Sequence, residues 1–170
     1  MFYRIRRTIA VIIIGSLISF FLSHHTFAHA GDVTGRVVSV ADGDTLTVLT
    51  SRHDQIRVRL AEIDAPEKSQ AFGQRSKQSL SALCFGKEAD VETVDTDRYG
   101  RTVGKVTCNG VNANLEQVRS GNAWAYRKYL RDQGVVAAED EARAAGRGLW
   151  SERSPTPPWE FRKAARNQGN

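Results

Sequence analysis

Beyond residue 30 this chain has a single histidine, His53, and two cysteines, Cys84 and Cys108; the other three histidines, His24, His25 and His29, fall within its first thirty residues. One imidazole and two thiols do not make a zinc centre, which takes three or four nitrogen and sulfur ligands. They also leave little room for a Ser-His-Asp or Cys-His nucleophile. Whatever chemistry the chain performs falls to carboxylates, arginine, lysine and tyrosine. Proline is scarce as well, and three of the four prolines sit between Ser154 and Pro158. There are no internal repeats. With 41% hydrophobic and 25% charged residues, disorder, collagen and coiled coil are poor readings.

There is one long apolar run. Thr8 to Leu22 carries no charge, follows Arg4, Arg6 and Arg7, and leads to the small residues of Ala28-His29-Ala30. That order reads as a secretory signal peptide cut after Ala30. An uncleaved anchor is the second reading, against which the run is short for a span of about 20 residues. The first reading sends residues 31–170 to the periplasm or the medium, free of the membrane. Losing three arginines and no acid lowers the formal net charge from +5 to +2, so the high isoelectric point says little about nucleic-acid binding. Both cysteines then lie in an oxidising compartment, where an even count reads as one disulfide; two separate buried thiols are the alternative.

The texture after Ala30 is that of short strands. Val33 to Val40 is Val-rich, Asp42-Gly43-Asp44 interrupts it, and Thr45 to Thr50 resumes. Gln55 to Ala61 alternates, with Ile56, Val58 and Leu60 facing one way and Arg57 and Arg59 the other. Glu62 to Glu67 is an acidic loop. A helix is expected over Gln70 to Leu83, capped by Ser69, with Phe72, Ser76, Leu80 and Leu83 on one face and Gly86 past its end. Glu88 to Val94 and Thr102 to Thr107 read as two more strands around the turn at Asp97-Arg98-Tyr99-Gly100. Asn112 and Asp132 are placed to cap two further helices, ending near Arg119 and Ala145. The expectation is an α+β chain, mainly β: a five-stranded OB-type barrel with about three helices. Residues 31–150 would form that domain. Residues 151–170 would be a Pro-containing polar C-terminal tail.

Four short segments carry polar residues that a core does not need: Asp42-Gly43-Asp44-Thr45, Arg59, Asp64-Ala65-Pro66-Glu67 and Arg98-Tyr99-Gly100-Arg101. Singly, each reads as a turn, a solvated charge or a hairpin tip. Jointly they supply carboxylates from two loops, which suit a hard cation. They also supply two arginines on separate elements, which suit a phosphate. A spare carboxylate could act on an attacking water.

The order Asp-Gly-Asp-Thr, then Arg-Leu-x-x-Ile-Asp-x-Pro-Glu, then Asp-Arg-Tyr-Gly-Arg resembles the staphylococcal-nuclease (thermonuclease) family, from about Val33 to Trp150. The resemblance implies a nuclease that hydrolyses phosphodiester bonds of DNA and RNA with little base preference and leaves 3′-phosphate ends. It implies one Ca²⁺ held by Asp44, Asp64 and the backbone carbonyl of Ala65, with Asp42 beside it through water. Glu67 would be the general base or the residue that positions the water. Arg59 would bridge the scissile phosphate and Arg101 would balance transition-state charge. Arg98 and Tyr126 match positions on the nucleotide side. Ala65 stands where a Thr is common, and the loop after Glu67 looks short. The partners expected are DNA and RNA, single strands preferred, for a monomeric enzyme. A non-catalytic OB-type module that binds single-stranded nucleic acid is the alternative, but it gains nothing from acids placed near phosphates. A domain using Ca²⁺ only structurally would leave Arg59 and Arg101 unexplained.

Overall fold

The computed structural model describes residues 32–168, so the expected signal peptide, residues 1–30, lies outside the described residues. The chain runs through β1 (Val33–Val40), β2 (Thr45–Thr50), β3 (Gln55–Leu60), β4 (Ile63–Asp64), α1 (Gly73–Cys84), β5 (Glu88–Thr96), β6 (Thr102–Cys108), β7 (Val111–Asn112), α2 (Ala113–Arg119), β8 (Trp124–Ala125), α3 (Gln133–Ala144) and α4 (Pro158–Gln168). Short 3₁₀ turns occur at Arg127–Tyr129 and Gly148–Ser151. Among the described residues no helix is long and apolar enough to cross a membrane.

Strands β1, β2 and β3 form an antiparallel meander, β5 pairs with the other edge of β1, and β6 pairs with β5. The sheet closes because β3 and β6 pair in parallel, Val58 with Thr102, Arg59 with Val103 and Leu60 with Gly104. The result is the expected five-stranded barrel of the OB type, which removes the two exposed edges an open sheet would present. Alternation along β3 does what the sequence pattern predicts: Val58 and Leu60 are buried in the core with Val37, Leu46, Val48, Val91 and Val106. The opposite face, with Arg57 and Arg59, is left for polar work.

Helix α1 closes one side of the barrel. Its buried face is Gly73, Ser76, Leu80 and Cys84. The expected Ser69 cap is not used: the helix starts at Gly73 after Phe72, which adopts φ 63°, and no side chain caps it. The reason is local. Residues 67–73 curl through two turns first, Gln70 N donating to Glu67 O at 2.9 Å and Gly73 N to Gln70 O at 3.0 Å. Gly73 must be glycine there, since a Cβ would lie 1.9 Å from Glu67 O. Cys84, at the end of α1, is joined by a disulfide to Cys108 at the end of β6, with 5.3 Å between the Cα atoms. Closing that loop stabilises by about 3–4 kcal/mol in the chain-entropy account.

The other two caps form as expected. Asn112 accepts from Leu115 N at 3.0 Å and Asp132 from Gly134 N at 2.7 Å. The structure has a fourth helix that the sequence pattern does not predict. Pro158 to Gln168, expected as polar tail, is helical. Proline is tolerated at the first helical position, and the Ala, Arg, Lys and Gln residues of the later turns are good helix formers.

Candidate active site

The turn between β1 and β2 is pinned from three sides. Asp44 N donates to Asp42 Oδ1 at 3.1 Å, an Asx turn. The buried Gln117 of α2 donates through Nε2 to Gly43 O at 2.7 Å and to Ser76 O at 3.1 Å, tying the turn to α1. Gly43 lies so close to α1 that a Cβ would sit 1.8 Å from Ser76 Oγ. The middle residue of Asp-Gly-Asp is therefore fixed by packing as well as by the turn.

Asp44 thus points at the loop after β4. Its Oδ1 accepts from Thr45 Oγ1 at 3.0 Å and its Oδ2 from Ala65 N at 2.8 Å. Arg59, from the polar face of β3, reaches both acids. Its Nη2 donates to Asp64 Oδ1 at 2.9 Å, and its Nη1 lies 2.8 Å from Asp44 Oδ2. The second contact is an ion pair without hydrogen-bond alignment, so the buried Nη1 keeps an unused donor. Asp64 is held in place by the short ladder of β4 with β8, where Ile63 pairs with Ala125 and Asp64 with Trp124. That ladder also sets Tyr126 beside the site. Asp64, with only 1% of its side chain exposed, is raised above its ordinary pKa by burial, which outweighs Arg162 and Arg59. Asp42 is raised for the same first reason, and Asp44 beside it adds repulsion. Burial works against the charge on Arg59, yet Asp44, Asp64 and Asp42 together win and hold it on.

Glu67 is 40% exposed on the same rim. Its Oε1 accepts from Arg162 Nη1 at 2.8 Å, and Arg162 also straddles Asp64, Nη2 to Oδ2 at 2.7 Å and Nη1 to Oδ1 at 3.2 Å. Arg162 belongs to α4. The structure thus gathers Asp42, Asp44, Arg59, Asp64, Ala65 and Glu67, and adds an arginine that the motifs do not include. Tyr126 is covered by Trp159, also of α4: the rings are 5.6 Å apart and 6° from parallel. One signal for both is present in the sequence. Pro157-Pro158 starts a helix, and Trp159 and Arg162, three residues apart, share a face.

Arg101 and Arg98 stand apart. Arg101 is bound to Asp97 within the β5–β6 hairpin tip, Nε to Oδ2 at 2.7 Å and Nη2 to Oδ2 at 2.6 Å. Among the described residues no hydrogen bond or ion pair links it to Asp44, Asp64 or Glu67. The register still sets it on the right side. Val103 pairs with Arg59, and Arg101 precedes Val103 by two residues, so both arginines leave the same face of the barrel wall. Arg98 caps Tyr99, donating to its hydroxyl at 2.7 Å, and Tyr99 is 69% exposed.

Residues 57–152 match the family described as staphylococcal nuclease homologue. The chain belongs to that family. It is 49% identical over 130 residues to a Haemophilus influenzae protein named as an uncharacterized endonuclease, covering 76% of this chain and 73% of that one. It is 44% identical over 150 residues to a Shigella flexneri protein named micrococcal nuclease, covering 82% and 86%. An Escherichia coli protein named as an uncharacterized endonuclease is 46% identical over 132 residues, covering 77% and 86%. The chain is accordingly a nuclease, a hydrolase of nucleic acid. The match to the family starts at Arg57, so the Asp42–Asp44 turn lies outside it.

Enzymes of this family are generally metal-dependent. The donors present fit a hard cation: all are oxygens, and Asp44 Oδ2 and Asp64 Oδ1 both lie within 3 Å of one guanidinium. Among the described residues no three acidic, histidine or cysteine side chains make a ready metal seat by themselves. Arg59 and Arg162 stand among the acids and take up their oxygens.

Proposed function

We propose that this nuclease is exported, uses one Ca²⁺, and cleaves DNA and RNA with little base preference to leave 3′-phosphate ends. The observation that carries the proposal is the convergence of Asp44, Asp64, Glu67 and Arg59, from a turn, a two-residue strand, a loop and a barrel strand, on one rim of the barrel. Asp44, Asp64 and the Ala65 carbonyl would hold the ion, with Asp42 adjacent through water. When bound, the ion would supply positive charge against the phosphoryl oxygens.

The chain's own groups carry the remaining work. Arg59 stays charged at any working pH and, on the acid-lined rim, would pair with a phosphate oxygen. Glu67, exposed enough to meet water, would take the proton of the attacking water or orient it. Arg101, on the same barrel face, would stabilise charge that grows on the phosphorus oxygens and the departing 5′ oxygen. Arg98 and Tyr126 would contact the nucleotide, Tyr126 by stacking, which tolerates any base and favours single strands. The enzyme would act as a monomer in the periplasm or medium. The Cys84–Cys108 bridge supports an oxidising compartment.

The test is incubation of the purified protein with single-stranded DNA in Ca²⁺ or in chelator, with end-group analysis of the fragments. Calcium-dependent cleavage giving 3′-phosphate ends is expected. Cleavage that persists in chelator, or 5′-phosphate ends, would refute the proposal.

A further inference from the structure

Helix α4 lies on the site through one face of its first turns. Arg162 covers both oxygens of Asp64 and one of Glu67. Trp159, one turn earlier, lies flat on Tyr126 and meets Trp124 edge-on with centroids 5.6 Å apart. The strap before the helix is tied down by Gln70, whose Nε2 donates to Thr156 O at 2.6 Å. One short helix therefore sets a positive charge on the acids and an aromatic plane on the tyrosine. Those are the two things that a cation and a nucleobase would bring.

The two positive charges compete for the same atoms. Asp64 is buried and already receives three donors, one from Arg59 and two from Arg162. A carboxylate offers about four lone-pair sites. A divalent cation on Asp64 would meet the Arg162 guanidinium on the same oxygens, and like charges at such range repel strongly. Helix α4 is built to yield. Pro158 is its one fully buried residue, Trp159, Phe161 and Arg162 are half-buried, and Lys163 to Gln168 are exposed. With so few apolar contacts, the helix rests mainly on the Arg162 ion pairs and the Trp159 ring contacts, which a cation and a nucleobase would replace. Strands β3 and β4, which carry Arg59 and Asp64, are part of the core.

We propose that α4 is an autoinhibitory latch: docked, its Arg162 and Trp159 fill the cation and base positions, and cation binding at Asp64 releases it. This deepens the proposed function, since it rests on Asp64 and Glu67 serving the ion and the water.

The experiment measures Ca²⁺ affinity by calorimetry in the full protein and in Arg162→Gln, together with hydrogen exchange of residues 158–168 with and without Ca²⁺. Arg162→Lys is the second variant, keeping the charge without the two-pronged grip. The latch predicts roughly tenfold tighter Ca²⁺ binding in Arg162→Gln and a smaller gain in Arg162→Lys. It also predicts Ca²⁺-accelerated exchange confined to α4. Equal or weaker Ca²⁺ binding in Arg162→Gln would overturn it, weaker binding meaning that Arg162 organises Asp64 instead of competing for it. Unchanged exchange in α4 would overturn it too. Either result would leave the calcium reading of the site intact. No Ca²⁺ binding by any of the three proteins would remove that reading, and the latch with it.

Discussion

Two clusters in this molecule use the same residue types and are built in opposite ways. The cluster of Asp44, Arg59 and Asp64 is assembled from β3, β4 and the β1–β2 turn, and held by Gln117 and the Ala65 amide at long range. The cluster of Asp97 and Arg101 lies within five consecutive residues at a hairpin tip. Its contacts are its own: Asp97 Oδ1 accepts from Tyr99 N at 2.9 Å and from Arg101 N at 3.0 Å. In the first, burial concentrates charge and couples function to the fold. In the second, an arginine is presented without the fold depending on it. The difference separates what each arginine should cost when lost.

The largest effect is expected at Arg59. If Arg59 meets the scissile phosphate as proposed, Arg59→Ala should lower the rate by about 10²–10³. It also leaves Asp44 without its ion-pair partner and Asp64 dependent on Arg162, and breaking a buried pair destabilises by about 3–5 kcal/mol. Both losses should appear together, in cleavage kinetics and in a urea melt. A variant that melted like the parent would mean that the barrel rim does not rely on its charge balance, and the contrast between the clusters would collapse from this side.

Arg101→Ala should split the two readouts. The rate should fall by about 10²–10³ if Arg101 meets transition-state charge, while the melt should move by less than about 1 kcal/mol, as partly exposed ion pairs are weak. A rate change under tenfold would take Arg101 out of the mechanism. A large loss of stability would show instead that the hairpin tip closes the barrel, and the two clusters would then be alike.

The same contrast explains what can be read from the sequence. Local signals are legible: the alternation of Ile56, Val58 and Leu60, the caps Asn112 and Asp132, and the turn at Asp97–Gly100 each arise from neighbours in sequence. The barrel strands and most of the acid cluster are legible because three spaced motifs sit on those elements. The Ser69 cap fails because the geometry there is set by Glu67 O packed against Gly73, a contact that residue identities do not announce. Helix α4 is hidden because its polar composition, and the three prolines at its start and just before it, resemble a linker. Its contacts to the site, such as Arg162 to Asp64 and Trp159 to Tyr126, join residues far apart in sequence. Arg101 is the reverse case: an obvious motif member whose side chain stays with Asp97.

The smallest effect is expected at Asp97, and it sharpens the comparison by pH. Burial would raise its carboxyl, but the Arg101 and Tyr99 amides and the Arg101 guanidinium outweigh it and lower the pKa below the ordinary value. A depressed carboxylate binds fewer protons in the folded than in the unfolded chain, so stability rises with pH between the two values. The contribution is complete above the unfolded pKa of about 3.9 and is lost as pH falls through the folded value. Asp97→Asn should therefore lower the melting temperature slightly at neutral pH, and its gap from the parent should close in acid below about pH 4. The absence of any gap at neutral pH would mean that Asp97 acts by shape, as an Asx turn that Asn fills as well. The tip would then present Arg101 by backbone geometry alone, with no charge from Asp97 required to hold it.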